Sequence, residues 1–437
     1  MIKNRKLFAT IRLLILIGIV SSQAVHAGEE GVKTYTIDES IKIALENNWT
    51  VKGKEEKVLE SEYAEKEAKA GFYPEFSTSY SYTGLNKAPT SGNIVVGDKN
   101  SYEWKATVTQ PIFTGYALTS AHELAKLGID QSKVAVELEK LDLALQVKEA
   151  YFNILKADKS VGVAKSSIES LESHLAVENN FYDVGMIPIN DLLKAEVELA
   201  NSKYDLVKAQ NEARLARVSF NLLLSRSVDE PFEIEDILKY MPESTDFDVY
   251  LEKALKARPE IKALDLNDAQ IDQLITQTKS KYYPEANFSY SYIKAGDTPA
   301  VSGSDFQEAN SWQATIGLSW TFWDWDKTKN TVRQSESQKR QLYQTRKTLE
   351  DSIRLELKSA ILNLNQAEEK IPTAKKAVEQ AEENLRVSEQ RYKAQVTTST
   401  EVLDAQTLLS QARMNYYNAL YDHNLARASL LRAIGEY

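Results

Sequence analysis

Residues 72–82 read FYPEFSTSYSY and residues 282–292 read YYPEANFSYSY, so the chain contains nearly the same stretch twice, 210 positions apart. Three further pairs of identical residues, which lie far from these stretches, have the same offset: Ala44 and Ala254, Tyr182 and Tyr392, and Arg217 and Arg427. A solenoid would contain more and shorter copies. The chain is therefore built from two copies of one large unit.

Each copy contains two segments in which the character of the side chains alternates. Aromatic and small polar residues alternate from 76 to 83, and the segments that begin at Tyr102 and Trp312 follow the same rule. A period of two predicts four strands, each with an apolar aromatic face and a small polar face. Matching Trp104 to Trp312 aligns the second strands of the two copies with a local slip of two residues.

The rest of each copy has the pattern of long helices. Residues 117–182 contain no proline, and residues 327–394 contain only Pro372. At 1.5 Å per residue, helices of this length reach about 100 Å. The segments 190–224 and 400–434 follow with apolar residues every seven positions, which predicts a coiled-coil seam. His423 lies in this seam, and we interpret it as a packed core residue rather than a ligand.

Two residues that disturb helices occupy equivalent positions in the copies. Gly162 and Pro372 are 210 residues apart. Glycine adds backbone freedom, and proline deletes a backbone hydrogen bond. The pairing predicts a bend or a break at one shared height in both long helices.

These patterns divide the chain into a leader, two repeats and a connector. Basic residues, an apolar run and a small-residue ending make residues 1–27 a secretory signal peptide. The first repeat is predicted at 28–225 and contains an equatorial helix, the hairpin 72–113 and the long helices 117–182 and 190–224. An equatorial connector follows at 226–258. The second repeat is predicted at 246–437 and contains the hairpin 282–323 and the long helices 327–394 and 400–434. The fold class is mainly α, with four strands.

The aromatic strand faces are typical of strands that cross an outer membrane. The side chains expected at the membrane interfaces are Tyr73, Trp104, Tyr283, Trp312, Trp320 and Trp323. An open four-stranded sheet would leave two unsatisfied edges in lipid, so other copies of the chain must close it. The alternative is a soluble protein in which a small antiparallel sheet covers a helical bundle.

Composition gives little support to an enzyme. The formal net charge of −10 disfavours a nucleic-acid partner, and the absence of cysteine excludes disulfides and thiolate metal sites. We find no phosphate loop, nucleophile motif or histidine cluster. The sequence therefore predicts no catalytic residue, no cofactor and no metal site.

At the carboxyl end, residues 391–435 resemble the signature of the outer membrane efflux protein family. The motif ALENN at 44–48, the Tyr-Pro step at 73–74 and TQPIFTG at 109–115 are similar to further landmarks of that family. The resemblance implies a homotrimer whose twelve-stranded transmembrane β-barrel continues as a tunnel of long helices, an α-barrel, through the periplasm. The chain departs from the family pattern at WTFWDWD (320–326) and at Gln395, which replaces a glycine common in the family.

The resemblance favours a passive exit duct in the outer membrane that extends into the periplasm. Its implied partners are outer membrane lipid, a periplasmic adaptor protein and an inner-membrane transporter, which together form a tripartite efflux pump. The same duct could serve type I protein secretion, and the sequence does not separate these two functions. A structural coiled-coil protein without a pore is a third possibility, and an enzyme is the least favoured.

The chain must reverse between the paired helices at 183–191 and at 394–401, far from the strands. By resemblance, these turns are the periplasmic mouth. The residues expected to gate the channel or select ions are Tyr392, Thr397, Glu401, Asp404, Asp183 and Asp191. Those expected to dock the adaptor are Gly185, Met186, Ile187, Pro188, Gln395 and Val396.

Within the gate set, Tyr392 matches the family's gate tyrosine, whereas Thr397 stands where its best-known member has an arginine. Residues 398–401 also have the pattern of a capping box, which would give Glu401 a structural role. Asp404 lies one turn further into the helix, so it is the better candidate for an acidic ring that favours cations.

Overall fold

The computed structural model describes residues 33–240, 242 and 246–437. The predicted signal peptide at 1–27 lies outside the described residues. The first repeat contains four helices: α1 (Ile37–Asn47), α2 (Trp49–Ala70), α3 (Ala117–Asp183) and α4 (Ile189–Leu223). Its strands are β1 (Thr34–Tyr35), β2 (Glu75–Gly84), β3 (Thr90–Ser91), β4 (Ile94–Val95) and β5 (Asn100–Phe113). A short strand, β6 (Glu233–Ile234), follows α4.

The second repeat has the same order of main elements. These are α5 (Phe247–Ala257), α6 (Pro259–Lys279), β7 (Glu285–Gly296), β8 (Asn310–Ser319), α7 (Lys327–Lys393) and α8 (Ser399–Ala433). Each of the four helices begins 210 residues after its counterpart in the first repeat. Both first helices of the long pairs have 67 residues, and both second helices have 35.

The strands β2, β5, β7 and β8 form one antiparallel sheet in that order. Glu75 pairs with Thr109 in the first hairpin, and Glu285 pairs with Ser319 in the second, so both hairpins have the same register at the offset of 210. Trp104 therefore corresponds to Ala314, and the slip of two residues inferred from the sequence is wrong.

Two side-chain hydrogen bonds confirm this equivalence. The Tyr82 hydroxyl donates to Asn100 Oδ1 over 3.1 Å, and the Tyr292 hydroxyl donates to Asn310 Oδ1 over 2.9 Å. Each donor and each acceptor is 210 residues from its counterpart. The hairpins are thus duplicated down to individual contacts.

The sheet has one mainly aromatic face and one mainly small polar face, as the alternation predicted, with Lys294 and Ile293 as exceptions. In register across the four strands, Tyr80, Trp104 and Lys294 share a row with Asn310, and the next row joins Thr78, Ala106, Tyr292 and Trp312. The outer strands β2 and β8 are exposed along their whole length. Among the described residues, neither has a strand partner on its outer edge.

Neither long helix is interrupted at the positions singled out in the sequence. Helix α3 continues through Gly162, and α7 continues through Pro372, so the predicted break is wrong, while the predicted bend stays a prediction. Packing explains the continuity at the proline, because the adjacent Ile371 is buried against Ala419 and Leu420 of α8. In the part of the chain that the structure describes, no helix is both long and apolar enough to cross a membrane.

The equatorial elements surround the middle of α3. The two-residue strands β1 and β6 pair in parallel, and the buried Tyr151 of α3 lies beside them. Its hydroxyl donates to the carbonyl oxygens of Tyr35 and Glu235, over 3.0 and 2.9 Å. Burial raises the pKa of this phenol to about 12, so it remains a hydrogen-bond donor. His423 of α8 is buried against Tyr240 in the same region.

Candidate gate and docking site at the helical tips

The turns that join α3 to α4 and α7 to α8 share one backbone geometry. Gly185 has φ of 75°, and the Met186 amide donates to the Phe181 carbonyl over 2.8 Å. Gln395 has φ of 59°, and the Val396 amide donates to the Arg391 carbonyl over 3.0 Å. Both are Schellman endings, in which a left-handed residue closes the helix. A side chain in this conformation costs about 1–2 kcal/mol, which Gly185 avoids and Gln395 does not.

The two turns touch each other. The Gln395 side-chain amide donates to the Met186 sulfur over 2.9 Å. Five of the residues predicted to dock an adaptor are exposed here: Gly185, Met186, Pro188, Gln395 and Val396. The sixth, Ile187, is half-buried. The residues predicted to dock an adaptor therefore lie together at the two turns, and their docking role stays a prediction.

Tyr392 lies behind these turns, in a buried cluster, with only 4% of its surface exposed. Its hydroxyl donates to Glu178 Oε1 over 3.4 Å. His174 Nε2 is 3.2 Å from the same oxygen and 3.0 Å from the Ser399 hydroxyl. The cluster joins α3 to both helices of the second repeat.

Glu178 is the central member of this cluster. Its side chain is fully buried, and its Oε2 atom has no hydrogen-bond partner among the described residues. Burial, together with the negative charges of Glu178 and Asp191, holds the pKa of Tyr392 well above its usual value. Tyr392 is therefore a permanent donor toward Glu178 at physiological pH.

Sequence reasoning selected Tyr392 but missed Glu178 and His174. The available signal was their spacing of four residues on one helix, combined with their replacement by Asn384 and Ser388 in the second copy. A buried pair present in one copy and absent in the other marks a contact that differs between the repeats.

Glu401 is held by residues on both sides of the turn. Arg391 Nη1 lies 2.5 Å from Glu401 Oε1, and the Thr397 hydroxyl donates to the other carboxylate oxygen. The predicted capping box is wrong, because Thr398 makes no side-chain cap to α8. Arg391, which sequence reasoning missed, diverts the Glu401 carboxylate and offsets its charge.

The other predicted acids have different surroundings. Asp404 is exposed in the groove between α4 and α8 and has no ion-pair partner among the described residues. Asp191 forms a 3.7 Å ion pair with Lys194 on the same helix. Asp183 is exposed at the last residue of α3. Asp404 and Asp183 thus both lack an ion-pair partner among the described residues, whereas Asp191 has one.

The predicted interface aromatics lie at the opposite end. Five are exposed: Tyr73, Tyr283, Trp312, Trp320 and Trp323. Trp104 is half-buried beside Tyr292. Strand β8 ends at Ser319, so Trp320 and Trp323 belong to the segment between the sheet and α7. Within that segment Trp325 and Asp326 both have positive φ values, just before α7 begins at Lys327.

No group of three or more histidine, cysteine, aspartate or glutamate side chains in the described ranges is arranged to hold a metal ion. A sheet with an exposed aromatic face, joined to long paired helices that end in a compact tip, is the arrangement expected of an outer membrane channel. The family model for outer membrane efflux proteins matches residues 40–225 and 250–436. The chain belongs to the outer membrane efflux protein family.

Curated relatives cover most of the chain at low identity. Outer membrane protein TolC of Escherichia coli (strain K12) is 24% identical over 397 residues, and the match covers 84% of this chain and 76% of that protein. Cobalt-zinc-cadmium resistance protein CzcC of Cupriavidus metallidurans is 24% identical over 301 residues, 67% of this chain and 68% of the relative.

Solved channels share the fold. CusC superposes with a TM-score of 0.79 at 16% identity and covers 93% of each chain. The Campylobacter jejuni CmeC outer membrane channel gives 0.76 at 15% identity, over 91% of this chain and 85% of that one. The protein is an outer membrane efflux channel, located in the outer membrane and extending into the periplasm.

Proposed function

We propose that this chain is the exit duct of a tripartite efflux pump. Three copies form a closed β-barrel in the outer membrane and a helical tunnel in the periplasm. A periplasmic adaptor docks on the tips, and an inner-membrane transporter supplies the energy. The exported molecules are small.

The sheet carries this proposal. Its apolar face is exposed, and both of its outer edges lack a partner in the described chain. In lipid each bare backbone group costs several kcal/mol, so the folded state in a membrane requires closure by further copies. Helices of 67 residues then place the tips about 100 Å from the sheet.

The tips support a gate in the same duct. Tyr392 and Glu178 hold the second repeat against α3, and the tip surface made of Met186, Gln395 and their neighbours is free to accept an adaptor. Opening the mouth would separate groups that are now buried. This arrangement supports a duct that is closed at rest. It opens when the free energy of binding a partner offsets the free energy needed to separate these buried groups.

Two measurements test the proposal. The mass of the detergent-solubilised complex should correspond to three chains, and planar bilayers should show discrete single-channel conductance. A folded monomer without conductance would contradict the proposal and favour a structural coiled-coil protein.

The cargo is tested in cells that lack the gene. Efflux predicts that tolerance to dyes, antibiotics or metal ions falls and returns with the wild-type gene. Unchanged tolerance with loss of a secreted polypeptide would assign the duct to type I secretion instead.

A further inference from the structure

Lys294 is the only charged side chain on the aromatic face of the four main strands, all of which the structure describes. The acids of these strands, Glu75, Glu103 and Glu285, occupy positions of the polar face. On a strand surface that faces lipid, a lysine is costly at the bilayer midplane and nearly neutral close to the interface. The height of Lys294 in the sheet therefore decides what its charge meets.

The lysine lies near the end of β7 that is farthest from the helices. In register across the sheet it sits between Trp104 of β5 and Asn310 of β8. The next row toward that end contains Tyr82 and Tyr102, whose ring centroids are 4.7 Å apart. Aromatic side chains of this kind mark the level of the lipid headgroups. With the helices in the periplasm, this level belongs to the outer leaflet.

The row around Lys294 presents three hydrogen-bond donors side by side. The Trp104 indole N–H, the Lys294 ammonium and the Asn310 amide nitrogen have no hydrogen-bond or ion-pair partner among the described residues. The Asn310 Oδ1 atom accepts from the Tyr292 hydroxyl over 2.9 Å, which leaves the amide nitrogen as the free group. Three donors on neighbouring strands, one of them positively charged, fit the oxygens of a phosphate group.

We propose that Trp104, Lys294 and Asn310 bind the phosphate group of an anionic lipid in the outer leaflet of the outer membrane. This inference rests on the proposed placement of the sheet in that membrane, and it names the lipid that the sheet selects. The ammonium pairs with one phosphate oxygen, and the indole and amide N–H groups donate to the others. The acyl chains then lie along the aromatic face, over Tyr290 and Phe288.

The first hairpin lacks this cation although its backbone register is the same. The counterpart of Lys294 is Gly84, where a Cβ atom would lie 2.6 Å from the Tyr82 hydroxyl oxygen. Asn100 keeps the contact with a tyrosine hydroxyl that Asn310 makes in the second hairpin. Duplication thus retained the amide, and within the described strands only the second copy places a cation beside it.

The general charge at this end of the sheet does not explain an anion site. The connectors 85–99 and 297–309 carry two lysines and four acids: Lys87, Lys99, Asp98, Asp297, Asp305 and Glu308. The attraction must therefore be local, and it should depend on Lys294 itself rather than on any lysine near the sheet. That dependence distinguishes a binding site from a side chain that only reaches toward water.

Native mass spectrometry of the detergent-solubilised full-length complex tests the site, with bisphosphorylated lipid A as the probe. Dephosphorylated lipid A controls for binding through the acyl chains, and inorganic phosphate as a competitor separates a lipid from a free anion. Lys294→Gln and Trp104→Phe each remove one donor, and Lys294→Arg keeps the charge. The matched control is Lys105→Gln, because Lys105 lies on β5 opposite Ile293, on the polar face.

We expect the wild-type complex to bind the phosphorylated lipid about fivefold more tightly than the dephosphorylated one, and Lys294→Gln to lose most of this preference. Trp104→Phe should weaken binding of the phosphorylated lipid by about threefold. Lys294→Arg and Lys105→Gln should stay within about twofold of the wild type, since the first keeps the charge and the second changes the other face.

Equal losses in Lys294→Gln and Lys105→Gln would overturn the site. So would unchanged binding in Lys294→Gln and Trp104→Phe complexes of wild-type mass. Displacement of the lipid by inorganic phosphate at equal concentration would overturn its assignment to a lipid. The proposed function is tested separately, because a wild-type chain without trimer mass and conductance would refute the duct whatever its lipid preference.

Discussion

The turn between α3 and α4 and the turn between α7 and α8 have the same backbone, yet the tyrosine that precedes each turn has a different fate. Tyr182 is 40% exposed, whereas its counterpart Tyr392 is 4% exposed. The helices that carry them have equal lengths. The difference comes from what lies across the contact, since α3 covers Tyr392 with His174 and Glu178.

Duplication thus copied the scaffold while the contact between repeats diverged. The second copy has Asn384 and Ser388 where the first has His174 and Glu178. Within the described residues, the first copy's pair lies buried against a tyrosine of the other repeat, whereas Asn384 is exposed. Leaving a buried carboxylate unpaired costs free energy, so Glu178 favours this one arrangement of α3 against the second repeat over other arrangements.

The largest expected difference follows from truncating the two tyrosines. Tyr392→Ala should lower the local opening free energy at the tip by about 3–5 kcal/mol, because it empties a buried aromatic site and removes a donor from Glu178. Tyr182→Ala should change it by less than about 0.5 kcal/mol. Hydrogen exchange of tip amides in the detergent complex measures both. Equal effects would show that neighbouring copies bury Tyr182, and the comparison would fail.

A smaller difference is expected for the groups that face Tyr392. His174→Ala should lower the same opening free energy by about 1–3 kcal/mol, since Glu178 and Ser399 lose a buried partner. The control is Asn384→Ala at the exposed equivalent position. Single-channel recordings should also show a higher open probability for His174→Ala alone. An unchanged open probability would make the cluster structural rather than part of the gate.

The turns themselves differ by one residue type. Gln395→Gly should stabilise the second turn by about 1 kcal/mol, because it relieves the left-handed strain at that position. Gly185→Gln should destabilise the first turn by a similar amount. Amide exchange at 183–187 and 393–397 reports each change separately. A loss of stability in Gln395→Gly would mean that the contact with Met186 outweighs the strain.

The smallest effect on stability concerns Arg391. Its ion pair with Glu401 is half exposed, so Arg391→Ala should cost less than about 1 kcal/mol. Cation selectivity in bilayers should nevertheless rise, because Glu401 loses its neutralising partner. Arg386→Ala, which breaks an exposed pair on the same helix, is the control. Selectivity that stays unchanged here and in the Glu401→Ala, Asp404→Ala double variant would rule out the acidic ring.

Much of the fold could be predicted because it depends on local periodicity. Alternation located the strands, and the long stretches with no proline or a single one located α3 and α7. The alignment of Trp104 with Trp312 failed for a physical reason. A slip of two residues keeps every side chain on its own face, so the pattern cannot reveal it, and only the hydrogen-bonded register does.

The site was harder to predict because its partners are far apart in the sequence. Tyr392 and Glu178 are separated by 214 residues and meet only through the packing of α3 on the second repeat. The capping box at Thr398 failed because Arg391, on the preceding helix, competes for the Glu401 carboxylate. No local pattern predicts that Tyr392 meets Glu178, although the replacement of His174 and Glu178 in the second copy marks a place where the repeats differ.

The equal lengths of the paired helices constrain how such a protein can evolve. Both long helices have 67 residues, and both partners have 35, so the two tips lie level. Inserting two heptads into one helix alone would shift its seam against an unchanged neighbour. A longer duct for a wider periplasm therefore needs matched insertions in both repeats. Among related channels, we expect the lengths of these helices to change together and in whole heptads.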